Sequence, residues 1–348
     1  MYNESDLDGA VAAGIMTRET AEAFRAHVAG GRATPAVDEE HFRLITGFND
    51  IFVSIASILV FIAAAMFGGI FGEGGGNGLA VAAVAWGLAE YFTRVRRMAL
   101  PSIIYLLVFA LSIFWAVGSA LHYGSGLWRG EGGSPMTLAI AAAVTAGATW
   151  LHWQRFRVPI TVAAGAAALV GVALALLLSI APGAKDWLVL IMAVAGLAVF
   201  ATAMWWDMSD PERRTRRADV AFWLHLLAAP LIVHPVFSLL GIMDGGASGL
   251  EAALVLILYL ALGLVALAID RRALMVSALA YVIYAMSTLF GESGANVGGF
   301  ALTALVIGSA LLTLSAFWQG ARRAVVTRLS EPLQRVLPPL DRIAHPAK

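Results

Sequence analysis

Long apolar runs alternate with short polar connections from about residue 48 to residue 318. Most of the runs reach the length of about 18 residues at which an apolar helix can cross a bilayer. The pattern therefore predicts an all-α fold, a polytopic transmembrane helix bundle with about ten spans. The predicted spans are 48–71, 78–93, 101–122, 135–152, 158–181, 186–206, 219–243, 249–269, 273–290 and 297–318.

The polar connections are of two kinds, and the two kinds alternate. Connections after odd-numbered spans are rich in glycine, whereas those after even-numbered spans carry clustered arginines. The arginine clusters are Arg94-Val-Arg96-Arg97, Arg155-Phe-Arg157, Arg213-Arg214-Thr-Arg216-Arg217, Arg271-Arg272 and Arg322-Arg323. Because cytoplasmic loops carry an excess of Lys and Arg, this alternation predicts five hairpins that open outward and both termini in the cytoplasm.

Composition supports a membrane protein and removes several chemistries. The chain is 60% hydrophobic and 13% charged, with a mean hydropathy of +0.80, whereas soluble domains carry about 25% charged residues. The net charge of zero says little about partners, because the arginines are concentrated in the connections on one predicted side of the membrane. Since the chain has no cysteine, disulfides, thiol catalysis and cysteine metal sites are excluded. No cleavable signal peptide is visible, and the first span is expected to act as an uncleaved signal anchor.

The sequence predicts three segments. Residues 1–46 form a small cytoplasmic helical unit in which Thr17 caps a helix, residues 47–319 form the bundle, and residues 320–348 form a cytoplasmic tail. In the tail, Arg322, Arg323 and Arg328 alternate with apolar residues, as in a basic amphipathic helix on a membrane surface. We expect these three arginines to contact lipid.

The seventh span holds two histidines and two prolines, which no other span does. Pro230 and Pro235 each remove a backbone N–H, so the helix is expected to kink or open there. His234 falls near the middle of the span, where ionisable groups mark proton or solute sites; the alternative is a neutral histidine bonded to a freed carbonyl. His225 faces the opposite side of a straight helix. Asp219 is expected to be the helix N-cap, with a salt bridge to Arg216 or Arg217 as the alternative.

Other candidate residues carry weaker signals. Glu90 is four residues before Arg94 and predicts a surface ion pair, with a proton acceptor at the inner mouth as the alternative. His152 is expected to reach water at the inner end of its span. No spacing typical of a metal site, nucleotide loop or catalytic nucleophile is present. We therefore predict no metal, no cofactor and no catalytic residue.

The N-terminal segment carries one family resemblance. Leu7-Asp-Gly-Ala-Val-Ala-Ala-Gly-Ile15, followed by Thr17-Arg-Glu-Thr-Ala-Glu-Ala-Phe-Arg25, resembles the opening of bacterial multipass proteins grouped as domain of unknown function 2157. The resemblance implies a bacterial inner-membrane location and supplies no activity.

Three functions fit these patterns. The leading hypothesis is a secondary transporter or permease for a small solute, proton-coupled at a helix broken by Pro230 and Pro235, with His234, His225, Asp219 and Glu90 as site residues. The second is a non-catalytic scaffold or sensor that recruits a partner through its cytoplasmic ends. The third is an intramembrane enzyme acting on lipid. Membrane lipids, a small solute, and a second copy or another membrane protein are the expected partners; nucleic acid is not.

The predicted topology can be tested directly because the chain contains no cysteine. Single cysteines placed in the glycine-rich connections should react with a membrane-impermeant thiol reagent applied to the periplasmic side of spheroplasts. Cysteines beside the arginine clusters should react only after the membrane is opened. The reverse pattern would show that the predicted orientation is wrong.

Overall fold

The computed structural model describes residues 4–31, 48–70, 75–125, 134–211, 213, 215–239, 249–272, 274–275, 279, 282–283 and 297–340. Every regular element in these residues is a helix. The helices are α1 (Glu4–Ala12), α2 (Arg18–Gly31), α3 (Phe48–Ile70), α4 (Gly76–Leu88), α5 (Ala99–Ser125), α6 (Pro135–Phe156), α7 (Ile160–Ile180), α8 (Leu188–Met208), α9 (Arg216–Leu239), α10 (Gly249–Ile269), α11 (Val297–Ala316), α12 (Trp318–Val326) and α13 (Glu331–Val336). A π-helical segment, Ala89–Val95, extends α4, and a 3₁₀ segment, Pro182–Trp187, precedes α8.

Within the described ranges, five helical segments are long and apolar enough to cross a membrane. They are Phe48–Ile70, Ala99–Leu121, Ile160–Ile180, Pro182–Met208 and Arg216–Leu239. The chain is therefore built as an all-helical protein whose long helices suit a bilayer, as predicted. Most of the predicted ninth span, 273–290, lies outside the described residues.

Residues 1–42, with 341–348, form one compact unit, and residues 43–340 form another. In the first unit, α1 ends at Ala12, and Gly14 two residues later has a φ of +71°, in the left-handed region that glycine adopts without strain. The expected cap of α2 is confirmed, because the Thr20 backbone N–H donates to Thr17 Oγ1 over 3.1 Å. Asp8 pairs with Arg25 at 3.0 Å and joins the two helices.

In the second unit, consecutive helices pack against each other from α3 to α9, and α7 also packs on α9. Further along the chain, α10 packs on α12. The arginine-rich connections contact one another at one end of this bundle, which we call the arginine end. Counting only the arginine-rich connections, Arg155 at the second donates to Glu90 at the first. Arg213 of the third donates to the backbone carbonyl of Asp270 at the fourth.

The connections at the arginine end share an unusual backbone conformation. Among the described residues, four that are not glycine have a positive φ near 55°: Arg97, Arg157, Arg213 and Asp270. A residue in this conformation ends a helix and turns the chain sharply. The residue that follows is described in three of the four cases, and each time its side chain is buried. It is apolar in Met98 and Val158 and charged in Arg271. The same turn thus inserts two apolar side chains and one charged one into the bundle.

The helix of the seventh span does not open at its two prolines, whereas a kink there stays a prediction. Helix α9 is continuous from Arg216 to Leu239, with Pro230 and Pro235 inside it. Pro235 has no N–H to donate to the Leu231 carbonyl one turn earlier. That turn is held by α8, because a Cβ placed on Gly196 would lie 2.8 Å from the Leu231 carbonyl carbon. Close packing of one helix on the other therefore supports the proline-containing turn.

Gly196→Ala should destabilise the protein, because the added methyl group would collide with the backbone of α9; overpacking of this kind costs about 1–3 kcal/mol. Gly147→Ala is the matched control, since nothing lies within 4 Å of its added Cβ and alanine favours a helix by about 1 kcal/mol over glycine. The two variants should shift SDS-induced unfolding in opposite directions. Equal shifts would contradict the close α8–α9 contact.

Candidate functional site

The most buried ion pair described at the arginine end joins Asp207 to Arg271. Asp207 is in the last turn of α8, and Arg271 follows α10; the two residues are 5% and 1% exposed. Arg271 Nε donates to Asp207 Oδ2 over 3.0 Å, and Arg271 Nη2 donates to Asp207 Oδ1. Arg271 Nη2 also donates to the Ala218 carbonyl over 3.1 Å. The pair therefore ties together α8, α9 and the end of α10.

His225 of α9 binds the same carboxylate. Its side chain is fully buried, and Nε2 lies 3.0 Å from Asp207 Oδ2. An ionised carboxylate only accepts hydrogen bonds, so Nε2 of a neutral His225 must be the donor. The remaining nitrogen, Nδ1, then carries a lone pair, and it has no hydrogen-bond partner. Among the described residues, this buried nitrogen therefore faces no hydrogen-bond donor.

Arg213 connects Asp207 to a second carboxylate. Arg213 Nη1 donates to the Asp270 backbone carbonyl over 2.9 Å and lies 3.4 Å from Asp270 Oδ2. Arg213 Nη2 donates to the Ile269 carbonyl over 2.9 Å, and Arg213 Nε is 3.8 Å from Asp207 Oδ1. The Asp270 turn is therefore held from both its backbone and its side chain.

Helix α12 completes the cluster and gives a correction. Trp318 Nε1 donates to Asp270 Oδ1 over 2.8 Å, and Arg322 Nε lies 3.8 Å from the same oxygen. Arg322 is buried and donates to the carbonyls of Pro339 and Pro338. Its expected lipid contact is therefore wrong, because its guanidinium is turned into the protein.

The other two tail arginines stay compatible with a lipid contact, since Arg323 and Arg328 are both exposed. Trp318, at the start of α12, holds Asp270 through its indole N–H and packs in a hydrophobic core of the bundle.

We call this cluster the arginine-end network; its members are Asp207, Arg213, His225, Asp270, Arg271, Trp318 and Arg322. With His225 neutral, three arginines face two aspartates, so the seven side chains carry a net charge of +1. Burying charges is stabilising only when each is paired and hydrogen-bonded. A proton added to His225 would raise the charge by one and compete with Arg271 for Asp207. The protonation state of His225 would therefore bear on the contacts that hold α8, α9 and the turn after α10 together.

The predicted site residues of α9 do not converge. Asp219 lies in the first turn of α9 rather than before it, so the expected N-cap role is wrong. His234 is half-buried, nine residues beyond His225 in the same helix. Nine residues of α-helix rise about 13 Å, so both histidines and Asp219 cannot act on one reacting atom. The arrangement expected of an intramembrane enzyme is absent from the described residues of this helix.

Of the remaining two candidates, Glu90 is partly exposed and His152 is buried. Glu90 pairs with Arg94 at 3.4 Å, as predicted, and also accepts two hydrogen bonds from Arg155 at 2.7 and 2.9 Å. His152 does not reach water: it is buried among Trp86, Phe109 and Phe156. The expectation for His152 is wrong because neighbouring helices cover it.

An apolar cavity of about 500 Å³ lies next to the network. Its wall includes Leu267 and Met275 on either side of the Asp270-Arg271 turn, and Leu311 of α11. Its one described hydroxyl is Tyr259 Oη, which is buried without a hydrogen-bond partner. Cavities of about 300–1,000 Å³ with an apolar wall and few polar groups are typical of small-ligand sites. Among the described residues, no group of three metal-ligating side chains is present.

Sequence reasoning missed most of the network. Arg213 and Arg271 were interpreted only as markers of the inner side, and Asp207 was not singled out. Two signals were available: an aspartate at the end of an otherwise apolar helix, and the adjacent opposite charges of Asp270 and Arg271. Both suit an ion pair inside the protein as well as at its surface.

No protein-family model, no curated protein and no solved structure matches this chain. The resemblance at the N-terminus therefore stays a prediction, and the function has to be argued from the site.

Removing one partner of the buried pair should be costly, and removing both should cost less. Arg271→Met leaves Asp207 buried beside His225 without its bidentate partner, which typically destabilises by about 3–5 kcal/mol. Asp207→Leu combined with Arg271→Met should restore part of that loss in SDS-induced unfolding. The control is Glu90→Gln, which breaks the partly exposed pair with Arg155 and should leave unfolding unchanged. A double variant as unstable as the sum of both single variants would contradict the coupling.

Proposed function

We propose that this protein is a multipass protein of the bacterial inner membrane, with about ten spans and both termini in the cytoplasm. We further propose that it is a proton-coupled secondary transporter for a small solute. The five long apolar helices and the alternating arginine connections support the topology. The coupling site in this proposal is the contact among His225, Asp207 and Arg271, rather than a broken helix at His234.

The observation that carries the proposal is the buried His225 with one nitrogen on Asp207 and the other unpartnered. Ionisable groups inside membrane bundles are costly and mark proton or solute pathways. Histidine is the side chain whose charge changes most readily near neutral pH. A histidine serving only to fill space would not need to share its partner's oxygen with an arginine.

The coupling follows from that shared oxygen. Asp207 Oδ2 accepts from both His225 Nε2 and Arg271 Nε. When Nδ1 takes up a proton, His225 becomes a cation and draws Asp207 more strongly, while it repels the Arg271 guanidinium. Arg271 belongs to the turn after α10, so a weakened bond to Asp207 releases that turn from α8 and α9. Proton binding thereby favours one packing of α10 over another, as alternating access requires.

The solute space in this proposal is the apolar cavity beside the Asp270-Arg271 turn. Movement of that turn would move Leu267 and Met275, which line the cavity, and would open or close it. Tyr259 would donate the single hydrogen bond of the wall to the solute. The cavity therefore favours a small, mainly apolar solute with one polar group. His234 lies about 13 Å along α9 from the proton site and is not among the residues that line this cavity, so it is not a solute contact in this proposal.

His225→Gln separates proton coupling from structure. Glutamine places an amide N–H close to the position of Nε2, so it keeps a donor to Asp207 but cannot take up a proton. Liposomes containing the protein and a pH-sensitive dye are challenged with a panel of small amphiphilic acids, amines and alcohols. Wild type should show solute-driven proton movement, whereas His225→Gln should lose it and keep solute exchange. His152→Gln, a second buried histidine outside the network, is the matched control.

Two results would contradict the proposal. One is proton movement in His225→Gln equal to that in wild type. The other is a wild-type protein that moves no proton with any solute and whose single-cysteine variants at Leu267 and Met275 show no pH-dependent labelling. The second result would favour the scaffold hypothesis.

A further inference from the structure

A second cavity at the arginine end lies away from the network. It has a volume of about 400 Å³ and is lined by Trp153, Arg157, Trp206, Arg216, Arg217 and Val220. These residues come from the end of α6, the end of α8 and the first two turns of α9. We call it the three-arginine cavity.

Other arginines at the arginine end form ion pairs with described carboxylates, whereas the three arginines of the cavity do not. Arg155 binds Glu90, and Arg271 binds Asp207. No described carboxylate forms an ion pair with Arg157, Arg216 or Arg217. Arg157 donates to Gln154 at 3.2 Å and lies over the Trp153 ring at 5.5 Å; both contacts leave its charge uncompensated.

Two of these arginines occupy an electrostatically unfavourable position. Arg216 and Arg217 are in the first turn of α9, where the helix dipole is positive and cations are disfavoured. Asp219 is in the same turn but does not line the cavity. A bound anion would offset the arginine charges, and the positive end of the helix dipole would attract it as well. Charge and backbone thus select an anion.

The side chains that line the cavity indicate which kind of anion it can bind. Trp153, Trp206 and Val220 give it an apolar side next to its cationic side. Tryptophan favours the headgroup depth of a bilayer, where an apolar ring and a polar N–H are both satisfied. Guanidinium groups bind phosphate oxygens in pairs with favourable geometry. The cavity is therefore suited to a phosphate group attached to an apolar body.

We propose that the three-arginine cavity binds a phosphate group, with the headgroup of an anionic phospholipid as its source. The site differs in position from the tail arginines Arg323 and Arg328, because it is formed by two connections and three helices. Arg216 and Arg217 hold the phosphate oxygens from α9, and Arg157 approaches from the end of α6. The two indoles contact the glycerol and the first acyl carbons.

Native mass spectrometry of the purified full-length protein in detergent tests this assignment. Phosphatidylglycerol, phosphatidylcholine and inorganic phosphate are titrated separately. Phosphatidylglycerol should bind wild type, and Arg216→Gln/Arg217→Gln should weaken it about tenfold or more, because two charge-assisted contacts are lost. The matched control is Arg96→Gln/Arg97→Gln, which removes the same charge from exposed positions of the first connection and should keep wild-type affinity.

The three titrations distinguish a phosphate group carried by a lipid from a soluble phosphate. Binding of inorganic phosphate that is lost in the Arg216/Arg217 variant, with no added affinity for phosphatidylglycerol, would support the phosphate site and assign it a soluble ligand. Equal affinity for phosphatidylcholine, or an equal loss in the control, would overturn the proposal. Should the double variant fail to fold, Arg157→Gln tests the same cavity from α6. No transported solute is needed, so this result is independent of the proposed transport.

Discussion

The buried pair of Asp207 and Arg271 is the contact on which the arginine end depends. Two charges taken out of water are tolerated only when each polar atom finds a partner. Here the carboxylate takes both arginine nitrogens and His225, while the arginine also reaches the Ala218 carbonyl. These bonds can form together only if α8, α9 and the turn after α10 are all in place. One ion pair therefore fixes three segments at once.

The turn before Arg271 has a backbone conformation that recurs at other connections of this fold. Met98 and Val158 follow residues with the same positive φ and fill the corresponding positions with apolar side chains. At the fourth connection the same backbone inserts a guanidinium instead. The network thus requires few changes to a structural scheme already used elsewhere in the chain: an arginine at the turn, and Asp207 on the neighbouring helix to receive it.

Hydropathy was sufficient to predict an all-helical chain with long apolar helices, because apolar length and the need to satisfy backbone groups determine them. The site was harder to predict, since an excess of arginine on one side has the same sequence pattern whether the side chain faces water or protein. Arg322 and Arg323 are adjacent in sequence, yet the first is buried and the second exposed. Likewise, Pro235 predicts a break that the close approach of Gly196 prevents. Both outcomes depend on a neighbouring helix, which no local pattern contains.

The first turns of α9 connect the two candidate sites. Arg216 and Arg217 line the three-arginine cavity, and the next residue, Ala218, gives its carbonyl to Arg271. An anion drawn towards the end of this helix acts on the same turn that positions the Arg271 guanidinium. Because helical residues move together, a shift of this turn changes the Arg271 contact with Ala218 and, through it, the sharing of Asp207 with His225. If both proposals hold, the charge state of the network and the occupancy of the cavity would be coupled through this single turn of backbone.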